Sequence, residues 1–244
     1  MNAKIKLGFD IQTQAPIYAD LEKTGHMCIV GGTGSGKTTA TLYALNSLLS
    51  LTVEMDLFIG DFKKSGDYKG MSSHFAEFDK VTELIDSFYE EFQRTPEKCP
   101  KLKILILDEY AGYIVWLMQN DKKKCEEVKG KISTLLMLGR SRHCYVWTIQ
   151  QRMTAQLFVA NIGASDNYNL CIGMSRLSVD GRRLLFSGEH FEDKEFEENY
   201  HPGQGQGICL IDGQPLRAIQ IPKISDKGKL HALLARKAKA HNCI

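Results

Sequence analysis

Apolar residues along the chain fall into blocks of two kinds. The first is a short continuous run, as in "HMCIV" (26–30), "MDLFIGDF" (55–62), "KILILDE" (103–109), "YVWTIQ" (145–150) and "NLCIGM" (169–174). Runs this short, without polar alternation, fit strands covered on both faces. The second kind repeats at three and four residues. In "VTELIDSFYEEFQ" (81–93), Val81, Leu84, Ile85, Phe88 and Phe92 share one helical face, and "ATLYALNSLLS" (40–50) and "KISTLLMLGR" (131–140) also read as helices. Alternation of the two kinds predicts an α/β fold, a mainly parallel central sheet flanked by helices. The ends differ. "KIKLGFDI" and "PIYADL" predict paired strands before the core, and "GICLID" and "PLRAIQIP", joined through Gly213-Gln214, predict a late hairpin. These are small β-additions at the N- and C-terminal edges. With no repeat and no low-complexity linker, the chain reads as a single domain over 1–244: a β-rich opening segment (1–24), a core (25–222) and a basic tail (223–244).

Composition narrows this little. A chain of 244 residues, 43% hydrophobic and 25% charged, is ordinary for a globular protein and can bury a sizeable core unaided. Lys+Arg 31 against Asp+Glu 29 leaves a net +2, so total charge does not announce a nucleic-acid binder. The distribution is uneven, however. "EHFEDKEFEE" (189–198) carries six acids and one lysine, while Lys223 to Lys239 carries six Lys/Arg and one Asp. "DKKKCEEVKGK" (121–131) is mixed, and solvated loops or helix faces account for such stretches. Seven cysteines, Cys28, Cys99, Cys125, Cys144, Cys171, Cys209 and Cys243, form no CxxC pair, which predicts reduced thiols. No signal-peptide core opens the sequence and no apolar run approaches a membrane span. The expected location is cytoplasmic, with any membrane association supplied by a partner.

Chemistry concentrates in "HMCIVGGTGSGKTTATL" (26–42). Gly31, Gly32, Thr33, Gly34, Ser35, Gly36, Lys37 and Thr38 fit the phosphate-loop motif G-x-x-x-x-G-K followed by Ser or Thr, and Thr39 extends the nucleotide-binding stretch. Small residues let backbone N–H groups converge on phosphates, and the helix that begins here adds its positive end. Lys37 is assigned to the β- and γ-phosphates of ATP and the Thr38 hydroxyl to Mg²⁺. A glycine turn with a coincidental lysine is the bland alternative; a strand before and a helix after argue against it. "ILILDEY" (104–110) supplies the second half. Its strand delivers Asp108 to the Mg²⁺ shell, and Glu109 follows as the group that polarises an attacking water. The pair suits NTP hydrolysis rather than a nucleotide kinase or small GTPase. "YVWTIQQR" ends a strand in Gln150-Gln151-Arg152, where a glutamine could sense the γ-phosphate or merely end the strand; position alone favours neither.

The ordered series of these segments resembles the FtsK/SpoIIIE family of DNA-pumping motors. In that family's order come "ADLEKTGHMCIVGGTGSGKT", "GDFKKSGDY", "ILILDEYAGYI", "GRSRHCYVWTIQQRM", "VDGRRLL" and "GQGQGICL", spread over roughly residues 7 to 222. The resemblance implies a RecA-like P-loop NTPase fold, ATP hydrolysis with Mg²⁺ at subunit interfaces, a homohexameric ring and non-specific double-stranded DNA in its channel. It makes Gln151 the γ-phosphate sensor, and Arg140 and Arg182 candidates for contacts across the interface, each of which could instead be an ordinary surface or structural residue. A membrane, relaxosome or secretion partner protein is a further implied partner. There are departures. "DFK" stands for the family's "DPK", "QQRM" for "TQRP", and Arg142 and His143 occupy positions where the family has small residues. Within this sequence there is no membrane-spanning N-terminus and no room for a DNA-reading winged helix. That matches short relatives from mobile elements used in conjugation, by analogy alone.

Three functions compete. An ATP-driven DNA translocase predicts turnover stimulated by DNA. An FtsK-like ATPase energising a protein-secretion machine predicts turnover indifferent to DNA. A nucleotide-gated assembly protein with negligible hydrolysis leaves the Asp108-Glu109 pair without a purpose.

Overall fold

In the computed structural model, which describes residues 3–160 and 162–240, ten strands form one sheet in the order β2-β1-β10-β9-β8-β3-β7-β6-β4-β5. The strands are β1 (Lys4–Asp10), β2 (Pro16–Asp20), β3 (Met27–Gly31), β4 (Met55–Asp61), β5 (His74–Glu77), β6 (Leu102–Asp108), β7 (Cys144–Gln150), β8 (Leu170–Met174), β9 (Gln206–Ile211) and β10 (Arg217–Gln220). The six from β8 to β5 run parallel. The continuous apolar runs became its middle: every residue of β3, β6, β7 and β8 is buried, because helices cover both faces.

The helices are α1 (Lys37–Leu48), α2 (Val81–Arg94), α3 (Tyr110–Asn120), α4 (Lys122–Leu138), α5 (Val179–Phe186), α6 (Lys194–Asn199) and α7 (Lys227–Ala240). Alternate strand residues point to opposite faces. Ile29, Ile59, Ile106, Trp147 and Ile149 pack with α1 and α7, whereas Val30, Phe58, Leu107 and Val146 pack with α2, α3, α4 and α5. The face predicted for α2 is the buried one: Val81, Leu84, Ile85, Phe88 and Phe92. The mixed-charge stretch 121–131 opens α4, where Asp121 caps the helix by accepting from the Lys124 N–H at 2.9 Å and Cys125 and Val128 turn inward.

Both terminal β-additions lie on one side of the sheet. β1 pairs with β10, β9 joins β8, and these antiparallel strands end at β2. The opposite edge is β5, four residues too short and too polar to announce itself. The basic tail folds as α7 and docks through Leu230 and Leu234. Two of its cations are engaged within the chain. Lys227 pairs with Asp67 at 3.2 Å, and the Lys237 ammonium donates to the terminal α1 carbonyls of Leu48 (2.9 Å) and Leu49 (3.2 Å). Six cysteines are free thiols; Cys243, with the rest of 241–244 and residues 1–2, lies outside the described residues.

Phe88 is wholly buried and meets Phe58 edge-to-face at 5.1 Å. Phe88→Ala should cost about 3–5 kcal/mol. For a domain this size that lowers the Tm by roughly 6–20 °C, readable by calorimetry.

Candidate nucleotide site

The site forms where β3, β6 and β4 end. β3 leads into a loop whose Gly34 (φ 77°) and Gly36 (φ 106°) hold left-handed backbone that a side chain would strain. A Cβ on Gly31 would lie 2.6 Å from the Met174 carbonyl oxygen, so that glycine is needed for packing. Around Gly32 and Gly34 the same test meets no atom within 4 Å, which leaves their outer side open to a ligand. Thr33 is exposed, Thr38 and Thr39 are half-buried in the first turn of α1, and Ser35 is buried with its hydroxyl oxygen unpartnered. Lys37 begins α1 and reaches back over the loop, its ammonium donating to the carbonyls of Gly31 (2.7 Å) and Gly32 (3.0 Å). Burial lowers the Lys37 pKa, while Glu109 and Asp108 oppose that shift.

Asp108 ends β6 beside Asp61, which ends β4 in direct register. Burial, then repulsion from Asp61 and Glu109, pushes the Asp108 carboxyl up to about 7. Glu109 is buried, left-handed (φ 58°, ψ 41°), and stands immediately before α3. Its carboxylate pairs with the half-exposed Lys63 ammonium. Gly112 makes room for it: a Cβ there would lie 2.9 Å from Glu109 Cγ.

The two glutamines diverge. Gln150 is wholly buried on the sheet face opposite α1, its amide donating to the Met153 thioether at 3.1 Å. Gln151 follows just beyond the strand and is half-buried. Arg140 lies in the turn before β7 (Gly139–Arg142), at the far end of that strand, exposed. Seven strand residues separate it from the nucleotide end, about 20 Å at ~3.3 Å per residue, beyond the reach of a side chain. Arg182, on α5, forms an ion pair with Glu197 of α6, which His190 also contacts at 3.0 Å. The motifs therefore bring together the phosphate loop, Asp108 and Glu109, place Arg140 at the opposite end of β7, and leave Arg182 engaged with Glu197.

Three contributors had no assigned role in the sequence reading. Asp61 and Lys63 lie in "GDFKK", and their signal was a second apolar run ending in Asp, as β6 does. Gly205, in "GQGQG", packs on the phosphate loop, its N–H donating to the Ser35 carbonyl at 3.0 Å while its Cα stands 3.3 Å from a Cβ built on Gly36.

The donor set fits a nucleotide with a hard divalent cation. Thr38 and Asp108 offer oxygen, and among the described residues no group of three or more His, Cys, Asp or Glu could hold a metal by itself. Mg²⁺ typically takes one or two carboxylates and completes its shell with phosphate and water. The unpartnered Ser35 hydroxyl and Asp61 Oδ1 leave hydrogen-bonding capacity for such a ligand.

Residues 1–97 match the model of the FtsK/SpoIIIE family, which bears out the resemblance read from the ordered motifs. No curated protein matches the sequence. Among solved structures, the chain is similar to the cytoplasmic domain of the Thermomonospora curvata Type VII secretion ATPase EccC (16% identity, TM-score 0.69). That match covers 97% of this chain and only 31% of EccC. It is similar to the pCW3 conjugation coupling protein TcpA, solved with ATPγS (18% identity, TM-score 0.72), over 96% of this chain and 71% of TcpA. It is also similar to ATPases 2 and 3 of EssC from Geobacillus thermodenitrificans (16% identity, TM-score 0.68), over 100% of this chain and 50% of that one. The fold is that of P-loop ATPase domains.

The crowded carboxylates set a pH dependence. A folded-state pKa raised to about 7 in Asp108 means its contribution to stability is present below about pH 4 and lost as pH rises through about 7. Asp108→Asn should therefore raise the Tm at pH 8 without nucleotide, and the gain should shrink steadily toward pH 4. An unchanged gap across that range in thermal melts would count against the buried-pair account.

Proposed function

We propose that this chain is an ATP-hydrolysing DNA translocase, moving double-stranded DNA non-specifically through a homohexameric ring in the cytoplasm, in conjugative or mobile-element transfer. The observation that carries the hydrolytic part is a buried glutamate, set in left-handed backbone directly after the Asp108 strand and facing the lysine environment of the phosphate loop. Lys37, with the N–H groups of Gly31 to Thr39, binds the phosphates of ATP. Thr38 and Asp108 hold Mg²⁺, which neutralises phosphate charge when bound. Glu109 orients the attacking water and takes its proton. Gln151 contacts the γ-phosphate. Arg140 and Arg182 act across subunit interfaces, a role that would require Arg182 to leave Glu197.

Two features support DNA as the cargo. Of the structures compared above, the conjugation coupling protein is matched over the largest share of its own length. Lys223, Lys229 and Arg236 are exposed in or next to α7 and are free of the contacts that hold Lys227 and Lys237. A second reading, an ATPase that energises protein secretion through a membrane or secretion partner, is favoured by the likeness to EccC and EssC. Among the described residues no helix is long and apolar enough to cross a membrane, so membrane recruitment would fall to a partner.

ATP turnover with and without linear double-stranded DNA separates the two readings. The translocase predicts stimulation that fades between ~50 and ~200 mM salt, because counterion release dominates phosphate contacts. Turnover indifferent to DNA favours the secretion reading. Glu109→Gln should keep ATP binding while lowering turnover about 10²–10⁴-fold, and Lys37→Ala should weaken nucleotide binding itself. Normal turnover in the glutamine variant would move the general base elsewhere.

A further inference from the structure

Asp61 is the most deeply buried carboxylate beside the nucleotide site, with no exposed surface at all. It shares the α1 face of the sheet with Asp108: Ile59 and Ile106, two residues earlier on β4 and β6, both belong to the core on that side. Its two oxygens have different fates. Oδ2 accepts from the Ser65 hydroxyl at 2.9 Å and from the Gly66 N–H at 3.0 Å, which pins the loop after β4. Oδ1 has no partner. A loop anchor needs only one acceptor oxygen, and an asparagine would provide it without a charge. The unpartnered oxygen of a fully buried carboxylate set against Asp108 therefore calls for another explanation.

A second atom points to the same place. Tyr68, in the loop that Asp61 pins, is wholly buried, and its hydroxyl makes no well-formed hydrogen bond, with Thr41 as a marginal contact. Asp108 and Asp61 both bear on that hydroxyl electrostatically, and Thr41 of α1 adjoins it. A buried carboxylate oxygen and a buried phenol hydroxyl thus both lie near Asp108, the residue assigned to the cation. Adjacent carboxylates in a low-dielectric pocket repel unless a cation lies between or next to them.

We propose that Asp61 is a second carboxylate of the divalent-cation site, and that it and Tyr68 hold the cation's water shell while Asp108 and Thr38 bind the ion. The proposal rests on the nucleotide-site reading above and names positioning residues that neither the phosphate-loop motif nor the Asp108-Glu109 pair includes. It accounts for the charge, since two aspartates match one divalent ion. It also accounts for the burial, since an outer-shell carboxylate works best where bulk water does not compete.

The test reads cation binding and not turnover. Mn²⁺ is titrated into the full chain saturated with ADP and followed by its electron paramagnetic resonance signal, alongside metal-free ADP binding. Asp61→Asn, which keeps an acceptor for Ser65 and Gly66, should weaken Mn²⁺ about 10–100-fold and leave metal-free ADP affinity unchanged. Tyr68→Phe should weaken it by a smaller factor. Ser65→Ala, which loosens the loop and leaves both carboxylates, should stay within about twofold of the parent, well under the losses typical of an outer-shell partner. Wild-type Mn²⁺ affinity in Asp61→Asn, or an equal loss in Ser65→Ala, would overturn the proposal. If Asp61→Asn does not fold, Tyr68→Phe decides, and unchanged Mn²⁺ affinity there rejects it. If the unmutated chain fails to bind ADP at all, the nucleotide-site reading falls first and the proposal with it. Robust ADP and Mn²⁺ binding in the parent confines any failure to Asp61 and Tyr68.

Discussion

Like charges held close together in a nearly dry pocket are the constraint on which this structure turns. Asp61, Asp108 and Glu109 stand at or just past two adjacent strand ends, with Lys37 and Lys63 opposing them. In water such a group would spread out. Here the parallel register of β4 and β6 forbids it, because each strand is hydrogen-bonded along its whole length and buried on both faces. The sheet thus converts hydrophobic burial into electrostatic tension. Burial first, and that tension second, raise the Asp108 carboxyl and lend value to any cation that enters.

The rest of the fold keeps that arrangement rigid. α1 cannot tilt freely, because its carboxyl end is held by Lys237 of α7 and its amino end carries the loop on which Gly205 rests. The terminal strands, which look like appendages, supply that second contact: β9 begins within the "GQGQG" stretch, β10 ends opposite its Gln206, and the Ile221 N–H donates to the Gly205 carbonyl at 2.8 Å. Glycines are placed where two backbones approach closely. A Cβ on Gly207 would sit 2.2 Å from the Gly173 carbonyl oxygen, so the late hairpin could not reach β8 with a larger residue there. The edge of the sheet and the phosphate loop are therefore one mechanical unit.

What the sequence revealed follows from the range of the forces involved. The buried parallel strands, the α2 face and the phosphate loop are local patterns, each complete within about fifteen residues, and all were readable. The pairing of β1 with β10 joins the chain's two ends, and no local period encodes it. β5 was missed because four half-exposed residues carry too little pattern. α3 was missed because "YAGYIVWLMQN" is apolar on most sides, which blurs a helical period. Within the site, Asp108 and Glu109 could be named from the apolar run before them. Asp61 ends a run of the same kind, but its importance depends on which strand lies beside it, and that is a tertiary fact.

The basic side chains bear on how the site would meet the charge of a phosphoryl group. Stabilising charge that develops on a transferred phosphoryl group calls for a cation poised at the γ-phosphate. Lys37 is committed to the loop and Lys63 to Glu109. Arg140 stands at the opposite end of β7, and Arg182 is held by Glu197. With these four in their present positions, both lysines of the acid-rich site are already engaged, while Arg152 stands exposed just past the nucleotide end of β7. Either a bound phosphate would draw Lys37 and Lys63 away from their partners, or a further positive group, of this chain or of a neighbour, would have to join the site. The first route would free the Glu109 carboxylate from Lys63 when a phosphate enters, tying its availability to occupancy of the loop. The second would leave that pair intact. Both follow from the same crowding of carboxylates at the ends of β4 and β6.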